Sequence, residues 1–338
     1  MESVSEQKLL RMLSSKFGHV TESNGGNGKE LIVDCPFCGR HKLSVNAVKG
    51  IWQCWHCHMS GTTAKLLGRS VRARVAETRM ERPKDRGYIS PGDLVPLDVL
   101  PDDHEACLYL RSRNFDPKVL SRNFGLMFCS HGRSFAGGVF NTSGTIVIPV
   151  QENGKLVAWQ ARLLYDPQKV PPEEMAAYGF VKEDGKFKVP PKYFTQPGFK
   201  KGDHFFNFDQ ASKFGFVVVT EGAFDSMRVG RCSVAAFGKG LSDVQVEILR
   251  ECWPVVVLLL DPDAEADQEE LKRRIEGTGP FGASGCTRTK VVSVHLSGYK
   301  DAGDAPQHDV VRQIVLAASA DGVDLGKIEK SNPFKLKE

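Results

Sequence analysis

The sequence predicts an α/β protein in three parts: a small β module near the N-terminus, a mixed α+β part in the middle, and a parallel sheet under helices towards the C-terminus. Three observations support this prediction. Two close pairs of cysteines near the N-terminus are typical of a small β module. An Asn-Gly pair between alternating apolar residues in the middle of the chain predicts a β-hairpin. Valine-rich runs that alternate with helical segments favour a parallel sheet.

The parallel sheet is predicted from four short apolar runs, at residues 216–220, 233–237, 255–260 and 290–296. Strands that are buried on both faces have this composition. The intervening segments 223–229 and 243–251 have helical patterns, so the first three runs and these segments give the order β-α-β-α-β.

Carboxylates follow three of these predicted strands. Glu221 follows the first, Asp261 and Asp263 follow the third, and Asp301 and Asp304 follow the fourth. Asp261 and Asp263 are two residues apart in an extended segment, so their side chains project on the same side. Ligands of such sheets bind beyond the carboxyl ends of the strands, and Mg²⁺ prefers carboxylate oxygens. The acids therefore predict a magnesium site, although a turn explains any single Asp at a strand end.

The paired cysteines predict one structural zinc site, with the ligands Cys35, Cys38, Cys54 and Cys57. Their spacing of two, fifteen and two intervening residues is that of known zinc sites. Residues 42–46 and 51–53 predict a hairpin between the pairs, so we interpret the module as a zinc ribbon. His41, His56 and His58 could compete as ligands, but a closed four-cysteine site needs none of them.

The aromatic residues of the ribbon have two explanations. Trp52 and Trp55 can pack around a module that is too small for a large core. They can also stack on single-stranded bases, with Arg40 and Lys42 nearby for the phosphates. Both explanations stay open at this point.

The other cysteines are scattered, which indicates a reducing environment and not a disulfide framework. The sequence shows no secretory signal and no apolar run long enough for a membrane span, so we expect a cytoplasmic protein without a membrane partner. The net charge of +4 does not by itself indicate a nucleic-acid partner. Residues 65–86, however, contain eight Lys or Arg against three acids.

Residues 66–101 are first basic and then rich in Pro and Gly, which predicts a linker. A helix is predicted at residues 106–113, and a hairpin follows around Asn153-Gly154. Arg162 lies near the end of the second hairpin strand. Lone basic residues on strand edges are most often solvated.

Several of these motifs resemble those of known proteins. Glu221-Gly222 with Asp225, followed by Asp261-Pro262-Asp263, resembles the TOPRIM domain shared by DNA primases, topoisomerases and some nucleases. Residues 300–304 resemble the third acidic motif of phage-type members.

The middle part resembles the catalytic core of bacterial and bacteriophage DnaG-like primases. Residues 106–113 are similar to its first helix, and Pro191-Lys192-Tyr193 matches its Pro-Lys-Tyr motif. The sequence departs from the family at Gln160-Ala161-Arg162, where the family has Gly-Gly-Arg, and at Cys38, where most bacterial members have His. Cys38, together with a short C-terminal tail that leaves no room for a helicase-binding domain, favours a phage or mobile-element origin.

The resemblance implies a DNA primase, a nucleotidyltransferase that makes short RNA primers on single-stranded DNA for replication. The implied partners are the DNA template, ribonucleoside triphosphates and a replicative helicase as a separate protein. The implied cofactors are one structural Zn²⁺ and two catalytic Mg²⁺ ions, for which Mn²⁺ can substitute. For a phage-encoded protein, the location would be the host cytoplasm.

The resemblance also implies residue roles. The catalytic residues would be Glu221, Asp225, Asp261, Asp263, Asp301 and Asp304, of which Glu221, Asp261 and Asp263 would hold Mg²⁺. The substrate- and nucleic-acid-binding residues would be Arg162, Lys192, Tyr193, Lys239, Lys300, Trp52 and Trp55. The implied domains are a zinc ribbon at 1–65, a linker at 66–101, an α+β subdomain at 102–210, a TOPRIM domain at 211–304 and a C-terminal tail at 305–338.

Other functions remain as alternatives. A non-catalytic recombination mediator also joins a four-cysteine zinc motif to a TOPRIM domain, but it lacks the Pro-Lys-Tyr core. A TOPRIM nuclease shares the acids. A topoisomerase would need a nucleophilic Tyr in a setting that this chain lacks, and Gly238-Lys239-Gly240 does not fit the spacing of a P-loop.

Overall fold

The computed structural model describes residues 4–25, 28–46, 51–67, 87–135, 140–170, 190–261, 265–276, 289–329 and 331–337. Three main β-sheets follow one another along these ranges. The mixed α/β class is the one that the sequence predicts. The domain boundaries given above stay a prediction, except in the second half of the linker and in the C-terminal tail, which are corrected below.

The first sheet is an antiparallel meander of five strands in the order β1-β2-β3-β4-β5. Its elements are α1 (Val4–Phe17), β1 (Thr21–Gly25), β2 (Gly28–Val33), β3 (Leu43–Asn46), β4 (Ile51–Cys54), β5 (Ser60–Thr62) and α2 (Thr63–Leu66). The predicted hairpin between the cysteine pairs is confirmed as β3 and β4. Leu13 of α1 is fully buried against this sheet with Leu31 and Leu43, so the helix closes the small core.

The second sheet is antiparallel, with the strand order β12-β11-β10-β7-β6. Its elements are β6 (Gly92–Pro96), α3 (Glu105–Ser112), α4 (Pro117–Phe124), β7 (Met127–Gly132), β8 (Ser134–Phe135), β9 (Phe140–Asn141), β10 (Thr145–Glu152), β11 (Lys155–Leu163) and β12 (Tyr193–Thr195), of which β8 and β9 form a separate pair. The predicted Asn-Gly hairpin is confirmed: Asn153 and Gly154 have φ values of 53° and 72°, and their N–H groups donate to Asp209.

The second half of the predicted linker belongs to this sheet. Strand β6 pairs with β7, and Leu97 directly after it is fully buried. The prediction of a linker as far as residue 101 is therefore wrong in this part. The Pro and Gly content suggested a loop, but Pro96 ends an edge strand, where a missing N–H is tolerated. Residues 68–86, with most of the predicted basic stretch, lie outside the described residues.

The third sheet is parallel, with the order β14-β13-β15-β16. Its elements are α5 (Phe208–Ala211), β13 (Phe216–Thr220), α6 (Ala223–Val229), β14 (Ser233–Ala235), α7 (Asp243–Cys252), β15 (Val255–Leu258), α8 (Glu265–Glu276), β16 (Lys290–Ser293), α9 (Gln307–Ala320) and α10 (Leu325–Ile328). The predicted strands and their parallel arrangement are confirmed. Every residue of β13, β14 and β15 is buried, as expected for strands with helices on both faces.

The predicted C-terminal tail is a layer of this third unit. Val310, Ile314 and Ala318 recur every four residues on α9 and are fully buried in the same cluster as Val257 and Val292 of the sheet. The prediction of a tail beyond residue 304 is wrong, because this apolar stripe gives α9 a face to bury.

The second and third sheets share a hydrophobic core. Leu110 of α3 and Ile148 of β10 lie in one buried cluster with Phe224 and Met227 of α6. Phe206 also bridges to Ala235 by two backbone hydrogen bonds. The middle part therefore packs on the side of the parallel sheet where α6 lies.

The first sheet contacts the parallel sheet at the amino ends of the parallel strands. A cavity of about 650 Å³ between them is lined by Cys57 and Met59 on one side and by Val255 and Lys290 on the other. Val255 and Lys290 are the first residues of their strands. The cysteines thus lie beyond the amino ends of the parallel strands, opposite the edge where the predicted acids lie. None of the helices in the described ranges is long and apolar enough to cross a membrane.

Candidate active site and metal centres

The four paired cysteines converge on one point. Their Sγ atoms all lie within 4.8 Å of one another, with 3.7 Å between Cys35 and Cys57 and between Cys38 and Cys54. A tetrahedral zinc ion with Zn–S bonds of about 2.3 Å places its sulfurs about 3.7 Å apart. The geometry therefore fits one structural zinc ion with four thiolate ligands.

His41, Trp52 and Trp55 of the same module differ in their contacts. His41 is bound through both ring nitrogens, to Asp34 at 2.7 Å and to Thr21 at 3.0 Å, so it is no zinc ligand. Trp52 is 3% exposed and stacks on Phe37, so the prediction that it stacks on bases is wrong, because its ring belongs to the ribbon core. Trp55 is 62% exposed, and its ring is accessible to a base.

Glu221 and Asp261 meet at the carboxyl ends of the parallel strands, a region that we call the acidic edge. Strands β13 and β15 are neighbours, so the residues that follow them lie side by side. The buried carboxylate of Glu221 accepts the backbone N–H of Asp261 at 3.3 Å. Asp263 lies outside the described residues, so its predicted role stays a prediction.

Asp225 lies at the same edge, in the first turn of α6. Its Oδ2 accepts the N–H of Gly222 at 3.1 Å, and its Oδ1 accepts the N–H of Gly303 at 2.8 Å. Burial raises the pKa of Asp225 to about 7, and the charges of Asp301 and Asp261 act in the same direction. The carboxylates of Asp301 and Asp261, from two other segments, are thus close enough to repel that of Asp225.

The segment 300–304, which we call the acidic loop, follows β16 and completes this edge. Asp301 accepts the N–H of Asp304 at 2.9 Å, so the loop is closed on itself. The carboxylate of Asp304 lies 3.2 Å from the guanidinium of Arg113, at the end of α3. Lys300 is exposed. An ion pair therefore links the acidic loop to the middle part of the chain.

Basic and aromatic residues of the middle part are grouped beside the acids. Arg162 donates to the hydroxyl of Tyr109 at 3.0 Å, and its guanidinium lies 4.7 Å from the ring centroid of Tyr193. Burial raises the pKa of Tyr193 to about 12, so its hydroxyl stays protonated at neutral pH. Lys192 precedes Tyr193 and lies 2.8 Å from the carboxylate of Asp166. A phosphate bound by Lys192 would have to compete with this carboxylate.

Lys239 lies on an exposed loop fixed to the acidic edge. The N–H of Gly238 donates to the backbone oxygen of Glu221 at 3.1 Å. The loop turns through positive φ values at Phe237, Gly238 and Gly240. Lys239 is therefore carried by a tight turn next to Glu221, where the sequence predicts a phosphate contact.

The sequence-predicted residues thus fall into two groups at opposite edges of the parallel sheet. The acids, Lys239 and the Arg162 group lie at one edge, and the cysteines with Trp55 lie beyond the other. Sequence reasoning missed Arg113 and Arg228, which hold the acidic edge to the middle part, and Tyr109, which binds Arg162. The sequence placed Tyr109 and Arg113 in the motif of the first primase helix without giving them a role. Arg228 belongs to no recognisable motif.

The acidic edge suits a hard cation in chemistry and has no closed set of ligands. The cysteines are the only cluster of three or more potential ligand side chains within the described ranges. Carboxylate oxygens from Glu221, Asp261 and Asp301 are the donors that Mg²⁺ prefers, and Mg²⁺ takes few protein ligands and keeps several waters. The donor set fits Mg²⁺ without a preformed cage.

Comparisons with known proteins give structural matches. The Aquifex aeolicus primase (zinc-binding and RNA polymerase domains) matches with a TM-score of 0.46 and 18% identity over 94% of this chain and 86% of that chain. A DNA primase domain from Pseudomonas aeruginosa matches with a TM-score of 0.46 and 17% identity, over 73% of this chain and 78% of that chain. The RNA polymerase domain of Mycobacterium tuberculosis primase DnaG matches with a TM-score of 0.43 and 18% identity, over 75% of this chain and 87% of that chain.

This chain is therefore similar in structure to bacterial primase domains. No protein-family model matches it, and no curated protein matches it by sequence.

Proposed function

We propose that this protein is a DnaG-like DNA primase, which synthesises short RNA primers on single-stranded DNA. One observation supports the proposal most: acids at the carboxyl ends of parallel strands lie beside an Arg, Lys and Tyr group from another subdomain. Arg113 links the two parts through its ion pair with Asp304. Phosphoryl transfer needs this combination, with acids for metal ions and cations for phosphates.

The acids have the first role. Glu221, Asp261 and Asp301 would hold Mg²⁺ at the acidic edge, and Asp263 is proposed as a further ligand. When bound, Mg²⁺ supplies positive charge that stabilises the attack of a 3′-hydroxyl on an α-phosphate and the departure of pyrophosphate. Asp225 keeps the acidic loop in place through the N–H of Gly303.

The basic residues have the second role. Lys239 and Lys300 are exposed near the acids and would neutralise the phosphates of the nucleotide. Lys192 would bind a phosphate of template or nucleotide after leaving Asp166. Arg162 is buried and directs its donors at Tyr109 and the backbone of Lys192, so it would hold Lys192 and Tyr193 in place.

The ribbon has the third role. Its four cysteines would bind one Zn²⁺, on which the fold of such a small module depends. Trp55 is exposed on it and would stack on a template base. The proposed phage or mobile-element origin rests on Cys38 alone, since residues 307–320 of the predicted short tail form a helix of the fold. A replicative helicase is proposed as a separate partner because the motifs resemble those of primases.

A primer-synthesis assay tests the proposal against the two alternatives. The protein is incubated with single-stranded DNA, α-labelled ribonucleotides and Mg²⁺, and in parallel with end-labelled DNA without nucleotides. A primase gives short RNA in the first reaction and intact DNA in the second. Degraded DNA without RNA would identify a nuclease, and binding without either product would identify a recombination mediator.

A further inference from the structure

Helix α6 contacts the acidic loop through two side chains on one face. Asp225 and Arg228 are three residues apart, so they project on the same side of the helix. Asp225 accepts the N–H of Gly303 at 2.8 Å. Arg228 donates to the backbone oxygen of Gly303 from Nη2 at 2.9 Å and from Nε at 3.3 Å. Both backbone polar groups of Gly303 are therefore held by one helix.

The same guanidinium also reaches the middle part of the chain. Nη2 of Arg228 donates to the backbone oxygen of Arg113 at 2.7 Å, and Nη1 donates to that of Asn114 at 2.9 Å. The guanidinium lies 3.8 Å from the centroid of the Phe115 ring, and the residue is 6% exposed. A planar guanidinium with several fixed donors is well suited to bind these three carbonyls in two segments at once.

The acidic loop is closely packed around Gly303. A Cβ atom on Gly303 would lie 2.9 Å from Oδ1 of Asp225 and 3.3 Å from Oδ1 of Asp301. Asp301 and Asp304 lie on either side of Gly303 and depend on its position. A shift of the Gly303 backbone would therefore move both carboxylates.

We propose that Arg228 is a positioning residue of the acidic site: it fixes Gly303 against residues 113–114 and so holds Asp301 and Asp304 at the acidic edge. The proposal rests on the metal site proposed above and adds a residue that lies outside every acidic motif. Groups that orient metal ligands typically change metal affinity by about 10- to 100-fold when they are removed. Its positive charge also acts on Asp225, Asp301 and Asp304.

Arg231 offers a matched control. It lies just beyond the same helix, donates to the backbone oxygens of Lys335 and Asn332, and lies 5.5 Å from the Phe214 ring centroid. Arg231 thus makes the same kinds of contact as Arg228, but with the C-terminal segment instead of the acidic loop.

The experiment uses the full chain with Arg228→Met, Arg228→Lys or Arg231→Met. Hydrogen exchange of residues 299–306 is followed by mass spectrometry without metal. Binding of Mn²⁺ alone is measured by its electron paramagnetic resonance signal, and thermal unfolding reports the fold. Arg228→Lys keeps the charge without the planar fork, and it is the deciding variant if Arg228→Met does not fold.

We expect both Arg228 variants to exchange faster over residues 299–306 and to bind Mn²⁺ at least about 10-fold more weakly. Arg231→Met should match the wild type in both measurements. Wild-type exchange and Mn²⁺ affinity in a folded Arg228 variant would overturn the proposal, as would equal losses in Arg231→Met. A wild type that binds no Mn²⁺ would contradict the proposed metal site, whereas the exchange measurement would still decide whether Arg228 holds the loop.

Discussion

At the scale of single residues, the acidic edge is governed by electrostatics. Asp225 has a pKa of about 7 because it is buried beside the charges of Asp301 and Asp261. Such repulsion opposes folding, and a bound divalent cation relieves it. Removing one acid from this group should therefore disturb function much more than stability.

Asp261→Ala should abolish primer synthesis, with a fall of more than about 100-fold, because a proposed Mg²⁺ ligand is lost. The melting temperature should stay the same or rise, since one source of repulsion is gone. Asp243→Ala is the matched control, because this fully exposed Asp pairs with Arg274 in the same unit. Retained synthesis in Asp261→Ala would show that this carboxylate has no role in the reaction.

Lys192→Ala should weaken binding of single-stranded DNA and reduce its salt dependence by about 0.7 in logarithmic slope if one phosphate contact is lost. Asp166→Asn should have the opposite effect on affinity, because it removes the carboxylate at 2.8 Å from the ammonium group of Lys192. Titrations at several salt concentrations measure both. Lys155→Ala, at the other end of β11, should leave binding unchanged. If all three variants bind as the wild type does, Lys192 is a surface lysine without a phosphate.

At the scale of elements, sequence patterns predicted the parallel strands but missed the packing of α9 and the existence of β6. The sequence analysis interpreted residues 305–338 as a tail, because the packing of a short terminal segment is not known until its buried face is seen. Strand β6 was missed for the opposite reason, since its Pro and Gly content predicts a loop. The parallel strands were predictable, because runs such as residues 255–258 are buried on both faces and hence uniformly apolar.

Ile314→Ala should destabilise the protein by about 3 kcal/mol, because it leaves a cavity under α9. Ile314 is fully buried, whereas Leu316 on the same helix is 57% exposed. Leu316→Ala should therefore change the free energy of unfolding by less than about 0.5 kcal/mol. Denaturant unfolding measures both. Equal, small effects would mean that α9 is not part of the core.

The candidate site was only partly predictable. The acids were found because strand ends and motifs identify them, and the cysteines because their spacing does. The residues that join the parts, such as Arg113 and Arg228, were not found, since their partners are backbone carbonyls or acids far away in sequence. The sequence could not distinguish buried Trp52 from exposed Trp55, because both aromatic residues belong to one small module and both explanations applied to each.

At the scale of the whole molecule, the two proposed metal centres lie at opposite ends of the parallel strands. The cysteines lie beyond its amino edge and the acids at its carboxyl edge. A ribbon that guides template to the acids must therefore move from this position or act on another copy of the chain.

Cys54→Ser should unfold the ribbon and leave the parallel sheet intact, because thiolate ligation makes the ribbon fold only with zinc. The variant should lose initiation at preferred template sequences and still extend a supplied RNA primer weakly. Zinc content and both activities are measured together. Equal loss of initiation and extension in a variant that is folded beyond residue 101 would place the ribbon within the active site, and normal initiation without zinc would remove it from the mechanism.

The most direct test of primase activity is whether the protein starts an RNA chain. Unprimed single-stranded DNA is incubated with Mg²⁺ and ribonucleotides that carry a label on the γ-phosphate, which only the first nucleotide of a new chain retains. We predict short labelled RNA complementary to the template from the wild type and none from Glu221→Gln. Absence of labelled RNA from the zinc-loaded wild type on templates that cover all trinucleotides, or its undiminished synthesis by Glu221→Gln, would contradict the proposal that the acidic edge is the active site of a primase.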